Sequence, residues 1–263
     1  MRAVVVGAGL GGLAAAVALH RAGHEVCVLE RAAQLRENGA GIGIMPNGVL
    51  ALDALGLGEP VRAQAAPMGT GGGFRDRHGR PLLAADQAAV VRRAGAPVAV
   101  VPRRGLHALL ADALPAGAVR TGSPVGSLAE VRDGADVVVV ADGAGSRLRA
   151  ELFPEHPGLA GSGEIAARAI APAAPPGVDL APGELLDHRT GERFGCMPMA
   201  GGGVYWYSTW SDPSPQDPAG RMRWLRGRRA DWHPSVTALL DATPADAVHA
   251  VETVQRGHRR AAR

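Results

Sequence analysis

The first thirty residues switch between two hydrophobic periods. Residues 3–6 form an uninterrupted apolar run, which is typical of a parallel strand buried on both faces. Apolar side chains then recur at helical spacing over residues 13–21, and Gly23 supplies a helix stop. Residues 25–29 return to an apolar run of strand length. The pattern predicts a strand, a helix and a second strand in one βαβ unit.

A glycine-rich loop joins the first predicted strand to the helix. Residues 7–12 read G-A-G-L-G-G and fit the pattern G-x-G-x-x-G, with Gly11 as an additional glycine. Gly7 permits a tight turn, Gly9 lets a pyrophosphate approach the backbone, and Gly12 lets the helix pack closely on the strand. Glu30, at the end of the second strand, can accept hydrogen bonds from ribose hydroxyls and disfavours a 2′-phosphate. The unit therefore predicts a site for FAD or NAD rather than NADP, and these residues do not distinguish the two.

Later patterns predict a second layer of structure. Residues 136–140 form another buried-strand run and lead directly into Asp142. Residues 68–99 and 161–210 carry short runs separated by Gly and Pro turn signals, which is typical of antiparallel hairpins. Residues 221–229 form a basic stretch predicted to be a solvated helix face. We therefore expect an α/β nucleotide-binding core interleaved with a sheet that is built from two insertions.

Composition excludes several classes of function. The 263 residues are 46% hydrophobic and 20% charged, as in ordinary globular proteins. The net charge of +3 arises from four Arg in residues 256–263, so the rest is near neutral and no nucleic-acid partner is expected. No uncharged apolar run reaches the ~20 residues needed to span a bilayer, so no membrane partner is expected. Two Cys provide no disulfide framework, which favours a reducing, cytoplasmic location, and the nine His show no metal-ligand spacing.

Three segments together resemble one enzyme family. They are the glycine loop with Glu30 and Arg31, residues 39–58, and residues 136–149, which contain the motif D-G-x-x-S-x-x-R. They resemble the class A FAD-dependent monooxygenases of the para-hydroxybenzoate hydroxylase type, and the chain is most similar to 3-hydroxybenzoate, salicylate and urate hydroxylases. The similarity spans about residues 1–250. It implies an α/β fold with a Rossmann-like FAD-binding domain of the glutathione-reductase type and an inserted, mainly antiparallel β-sheet substrate domain.

The resemblance also implies domain bounds. The FAD-binding domain would comprise residues 1–67 and 100–155. The substrate domain would comprise residues 68–99 and 156–215. Residues 216–263 would form a helical segment and a basic tail that is incomplete relative to the family.

The resemblance assigns roles to individual residues. Arg103 would reach the ribityl and pyrophosphate region, the backbone of Val125 would contact adenine, and Gly43 would lie near the flavin. Asp142 would bind on the pyrophosphate side, although a capping Asp in a strand-to-helix turn is an alternative interpretation. The ADP half of FAD would be held by Gly7, Gly9, Gly11, Gly12, Glu30 and Arg31.

The resemblance indicates fewer residues for the substrate than for the cofactor. Arg193 and Tyr205 fall where the family's second sheet faces the substrate, while an exposed strand Arg and a half-buried strand Tyr are the alternatives. No catalytic residue is assigned. The implied activity is hydroxylation of a small aromatic or heteroaromatic substrate with O₂ and NAD(P)H, through a flavin C4a-hydroperoxide.

Two departures from the family keep other functions open. The family continues into a Gly-Asp motif, G-D-A-A-H-x-x-x-P, which this chain lacks, and only ten residues, 126–135, precede the Asp-Gly strand. One alternative is therefore a truncated, non-catalytic dinucleotide-binding remnant, or a split subunit that needs a partner chain. Another is a different flavoprotein with two dinucleotide fingerprints. A homo-oligomer, the substrate and the choice of NADH or NADPH are left open.

Overall fold

The computed structural model describes residues 1–35, 40–68, 72–178 and 180–256, and in these ranges it contains thirteen strands and nine helices. The strands are β1 (Arg2–Val6), β2 (Glu25–Leu29), β3 (Gly41–Ile44), β4 (Gly73–Asp76), β5 (Pro81–Ala84), β6 (Ala99–Pro102), β7 (Val119–Arg120), β8 (Val137–Val140), β9 (Leu159–Ala171), β10 (Gly183–Leu186), β11 (Arg193–Pro198), β12 (Val204–Trp210) and β13 (His249–Arg256). The helices are α1 (Leu10–Arg21), α2 (Pro46–Ala54), α3 (Gly58–Ala63), α4 (Gln87–Ala94), α5 (Arg103–Asp112), α6 (Ala129–Arg132), α7 (Arg147–Leu152), α8 (Pro218–Arg228) and α9 (Pro234–Asp241).

The nucleotide-binding core is a parallel sheet of four strands in the order β7-β2-β1-β8. Helices α1 and α5 pack on one face, where Val5 and Leu13 are fully buried. The other face is covered by Leu128, Val131 and Leu148 from the short helices α6 and α7 and the turn before α6. The apolar run in β1 is continuous because helices cover both faces of this strand. The predicted βαβ unit and the Rossmann-like core are confirmed.

The second sheet has seven strands in the order β13-β9-β12-β11-β10-β4-β5. Its pairs are antiparallel except for β10 and β4, which run parallel. Strands β4 and β5 come from the first predicted insertion and the others from later in the chain. A small antiparallel pair, β3 and β6, joins the two layers. The predicted fold class is therefore confirmed, while the exact domain bounds stay a prediction.

Residues 216–256 differ from the expected helical segment. Helices α8 and α9 are present, but β13 follows them and pairs antiparallel with β9, with His249 opposite Arg168. The strand was missed because its side chains are mostly exposed and show no amphipathic pattern, so only pairing with the thirteen-residue β9 reveals it. The rest of the predicted basic tail, residues 257–263, lies outside the described residues.

The basic stretch at residues 221–229 is also not a solvated helix face. Arg229 is fully buried, and Met222 and Leu225 belong to the core between α8 and the second sheet. Arg229 can be buried because the Glu192 carboxylate supplies its counter-charge. Five of these nine residues are Arg, and they are interspersed with Met222, Trp224 and Leu225 without a clear polar face, so the sequence pattern did not indicate this burial.

Candidate functional site

A cavity of about 620 Å³ opens at the carboxyl ends of the parallel strands. Residues that directly follow β1, β2 and β8 reach it, which is where ligands bind in open α/β sheets. Seven of the ten predicted cofactor residues line this cavity: Gly7, Gly9, Glu30, Arg31, Arg103, Val125 and Asp142. Gly11, Gly12 and Gly43 are not among the residues that line it.

The glycine loop has the shape that a phosphate site requires. Gly7 has a φ of +105°, in the left-handed region, and its N–H donates to the Leu29 carbonyl at 2.8 Å. A Cβ at Gly12 would overlap the Gly7 carbonyl oxygen, so Gly12 permits close packing rather than ligand contact. Gly9 has open space around it and caps α1 without a side-chain hydrogen bond. The first N–H groups of α1 are therefore left for an anionic ligand.

Glu30 holds the loop in place. Its carboxylate accepts hydrogen bonds from the N–H of Ala8 and the N–H of Ala32, both at 2.9 Å. The carboxylate thereby joins the ends of β1 and β2. Each oxygen keeps a lone pair, since a carboxylate can accept about four hydrogen bonds. Ribose hydroxyls can use these remaining positions.

Asp142 has a buried oxygen that needs a partner. Its Oδ1 atom is buried and accepts no hydrogen bond within the described part of the chain. Ser146, not Asp142, caps α7, because the Ser146 hydroxyl accepts from the Arg149 N–H at 2.9 Å. The capping alternative for Asp142 is therefore wrong. A buried carboxylate oxygen without a donor is costly, so a ligand with a hydrogen-bond donor fits this position.

Helix α5 contributes residues that the sequence analysis did not assign. His107 lines the cavity, and its Nε2 atom lies 2.7 Å from the Ala8 carbonyl oxygen, to which it must donate. It follows Arg103 by four residues and so shares its helix face, a spacing that could have indicated it. The cationic groups around the cavity outnumber its two carboxylates, which suits a diphosphate; they are Arg31, Arg103, Arg104 and Arg147.

The two predicted substrate residues share one face of the second sheet. Strand register places Arg193 opposite Thr209 and Met197 opposite Tyr205, so Arg193 and Tyr205 point to the same side. Tyr205 is buried against the nucleotide-binding core, since a Cβ at Gly41 in β3 would lie 2.7 Å from its ring. We call this side the inner face.

The electrostatic surroundings of these two residues differ. Arg193 forms an ion pair with Glu164 at 3.2 Å. Burial raises the pKa of Tyr205, and the positive charge of the nearby Arg168 guanidinium opposes this shift. Gly43, the remaining predicted residue, is exposed in β3 opposite Val100.

A family model described as FAD binding domain matches residues 1–223. The chain belongs to this FAD-binding family. The expectation of FAD, which the glycine loop alone could not separate from NAD, is thereby confirmed. The resemblance to class A flavoprotein monooxygenases is confirmed as well.

Known relatives of this FAD-binding chain are longer. The aurachin C monooxygenase/isomerase of Stigmatella aurantiaca is 31% identical over 93% of this chain and 66% of its own length. The 3-hydroxybenzoate 6-hydroxylase of Klebsiella oxytoca is 33% identical over 66% of this chain and 47% of its own length. The structure of Klebsiella pneumoniae HpxO complexed with FAD and uric acid superposes with a TM-score of 0.82 at 25% identity, covering 97% of this chain and 68% of HpxO. The chain thus spans about half to two thirds of the length of these relatives.

The described ranges lack two further features. No helix there is long and apolar enough to cross a membrane. The same ranges contain no group of three or more His, Cys, Asp or Glu side chains placed to hold a metal ion.

Proposed function

We propose that this chain binds FAD in the cavity and hydroxylates a small aromatic or heteroaromatic substrate with NAD(P)H and O₂. The observation that carries the proposal is the unpartnered Oδ1 atom of Asp142 beside an open helix N-terminus. Both features require a ligand that carries hydrogen-bond donors and an anionic group. The ribityl-diphosphate portion of FAD has both.

Different residues of the cavity would bind different parts of FAD. The N–H groups of α1 and the backbone at Gly9 would hold the pyrophosphate, and Glu30 would accept from the adenosine ribose. Val125 would lie against adenine, and the Arg103 guanidinium would approach the phosphates. When bound, FAD would supply the redox chemistry of an NAD(P)H- and O₂-dependent hydroxylation, while these residues would hold and orient it.

The inner face would hold the substrate. Arg193 and Tyr205 would orient it, with Arg193 itself held by Glu164. Apolar contacts of Tyr205 with Ala40 and Val100 seal the sheet against the nucleotide-binding core. Sealing excludes water, which strengthens polar contacts to the substrate and protects reactive species from hydrolysis.

A second function follows from the edge of the parallel sheet. Strand β8 is outermost, and no other strand in the described ranges pairs with its free side. Val137 in β8 is 37% exposed although its strand is four consecutive valines. The alternative function is a FAD-binding subunit whose active site is completed by a partner chain. A partner chain, a homo-oligomer and a cytoplasmic location remain predictions.

Cofactor retention is the decisive experiment. FAD is added to the purified chain, excess is removed by desalting, and the visible spectrum is recorded. We expect near one FAD per chain, and Asp142→Ala should weaken FAD binding by about tenfold or more, as for loss of a charged hydrogen bond. Asp133→Ala, at an exposed carboxylate outside the cavity, is the matched control.

Turnover then separates the two functions. FAD-loaded protein is supplied with NADH or NADPH, O₂ and candidate phenols, and product and peroxide are quantified. Hydroxylated product supports the monooxygenase, whereas NAD(P)H oxidation that yields only peroxide supports the subunit that needs a partner. Failure of the wild-type chain to retain FAD contradicts both.

A further inference from the structure

Three neighbouring strands place an unassigned side-chain pair on the inner face. Tyr207 of β12 lies opposite Gly195 of β11, which lies opposite Glu184 of β10. The Tyr207 ring crosses over Gly195 towards Glu184. A Cβ at Gly195 would lie only 2.8 Å from the Tyr207 hydroxyl oxygen and would overlap its ring. Glycine at this position therefore allows the tyrosine to reach across a whole strand.

The pair presents only hydrogen-bond acceptors. Burial raises the pKa of Tyr207, and the neighbouring Glu184 carboxylate raises it further, so the hydroxyl keeps its proton. The Glu184 carboxylate has no proton to donate, and it is the acceptor towards which the Tyr207 ring reaches. The free positions of both groups are therefore lone pairs.

Two cations on this face lie near the pair, and neither forms an ion pair with Glu184. Arg193 is paired with Glu164, and Arg168, which lies opposite Tyr207 in the register of β9 and β12, is exposed to solvent. Within the described ranges Glu184 forms no ion pair. A carboxylate on a ligand next to Glu184 would meet a like charge that no ion pair neutralises, while the Arg193 guanidinium is already paired with Glu164.

Apolar surface lies directly beside the pair. Phe74 of β4 is opposite Glu184, and Leu83 of β5 is opposite Phe74. Their exposed fractions are 39% and 62%. An aromatic ring can pack against this surface while its polar edge reaches the carboxylate.

We propose that Glu184 and Tyr207 form a specificity site that selects a neutral aromatic substrate carrying an O–H or N–H donor and rejects aromatic carboxylates. The inference rests on the proposed function, because it assumes that the inner face receives the substrate. It narrows the substrate class to phenols and N–H heteroaromatics. Glu184 accepts the donor hydrogen, and the ring lies on the Phe74 side.

Three naphthalene probes test this selection on the FAD-loaded chain. 2-Naphthol carries a donor, 2-fluoronaphthalene has similar size without one, and 2-naphthoate carries a negative charge. Dissociation constants are measured by probe fluorescence. We expect 2-naphthol to bind at least about tenfold more tightly than 2-fluoronaphthalene, as for a hydrogen bond to a charged group, and 2-naphthoate to bind most weakly.

Variants of the two residues test whether the Glu184 carboxylate causes the preference for 2-naphthol. Glu184→Leu should bring the dissociation constants for 2-naphthol and 2-fluoronaphthalene within about twofold of each other, while Tyr207→Phe keeps the preference because Glu184 still accepts. Glu59→Gln in α3 is the control and should leave all three constants unchanged. FAD retention of each variant is recorded first, so a folding defect is recognised.

The wild-type series decides the inference even if Glu184→Leu does not fold. Equal binding of 2-naphthol and 2-fluoronaphthalene, or tightest binding of 2-naphthoate, would overturn it. A preference for 2-naphthol that survives in a folded Glu184→Leu protein would overturn it too. Loss of FAD from the wild-type chain is a separate result and concerns the proposed function alone.

Discussion

Replacement of Glu192 by Gln should strongly destabilise the fold, because this carboxylate neutralises a buried arginine. Arg229 is fully buried, and its guanidinium is bonded to Glu192. Its other donors reach the Ser208 hydroxyl at 3.1 and 3.2 Å and the Thr209 carbonyl at 2.9 Å. Burial lowers the pKa of Arg229, and the Glu192 carboxylate opposes this shift.

The expected loss follows from the missing counter-charge. Glu192→Gln keeps the side-chain volume but leaves the Arg229 charge in the interior, where breaking a buried ion pair costs about 3–5 kcal/mol. Arg228 also loses a partner, yet it is partly exposed and keeps Asp212. The free energy of unfolding of a typical domain is only about 5–15 kcal/mol, so a loss of this size is a large part of it.

Urea unfolding of the single and double variants measures the effect. The free energy of unfolding is obtained by linear extrapolation for wild type, Glu192→Gln, Arg229→Met and the double variant. The double variant contains no unpaired charge. The free energy of unfolding that it loses relative to wild type should therefore be smaller, by about 1 kcal/mol or more, than the sum of the losses in the two single variants. Asp53→Asn breaks the exposed pair with Arg62 and is the control, with no change beyond measurement error expected. A Glu192→Gln loss below about 1 kcal/mol, or additive losses, would refute the reasoning.

Three further outcomes are expected. Gly12→Ala should abolish FAD retention and lower the melting temperature, because the added Cβ would overlap the Gly7 carbonyl oxygen. Gly11→Ala places its Cβ in open space and should leave the melting temperature unchanged, so equal effects of the two substitutions would contradict this reasoning. Burial alone would raise the pKa of Asp187, but the N–H of Arg189 and the Arg77 guanidinium outweigh this effect, so the pKa in the folded state is lowered. The ionised carboxylate therefore stabilises the fold above about pH 4, and this stabilisation is lost as pH falls. Melting temperatures measured from pH 6 to pH 3 should therefore fall more steeply for wild type than for Asp187→Asn, and parallel curves would argue against it. Burial raises the pKa of Cys196 to about 11, so a thiol reagent at pH 8 should modify only Cys27 in the native protein; two fast-reacting thiols would exclude this.

The cofactor site was largely predictable because its features are local in sequence. The turn at Gly7, the packing at Gly12 and the acid at Glu30 all belong to one βαβ unit of thirty residues. Their spacing is set by the lengths of one strand and one helix. Such spacing can be interpreted without knowing how the rest of the chain folds.

Other parts of the site depend on contacts between distant residues. His107 contacts the Ala8 carbonyl across 99 positions of sequence; its spacing from Arg103 indicates a shared helix face, but only the folded structure shows this contact. The buried Oδ1 of Asp142 is likewise visible only once the ends of β1 and β8 are side by side. Family resemblance identified Asp142, but its unsatisfied oxygen is a property of the packed structure.

The sequence by itself determined the parallel core, the phosphate loop and the presence of an antiparallel layer, because periodicity, glycine position and turn residues act within short segments. Tertiary structure alone decided which side chains of that layer meet. The pairing of β13 with β9, the burial of Arg229 beside Glu192, and the reach of Tyr207 over Gly195 to Glu184 all depend on strand order and register. These are long-range choices whose free energy comes from burial and charge pairing across elements, so no window of the sequence contains them.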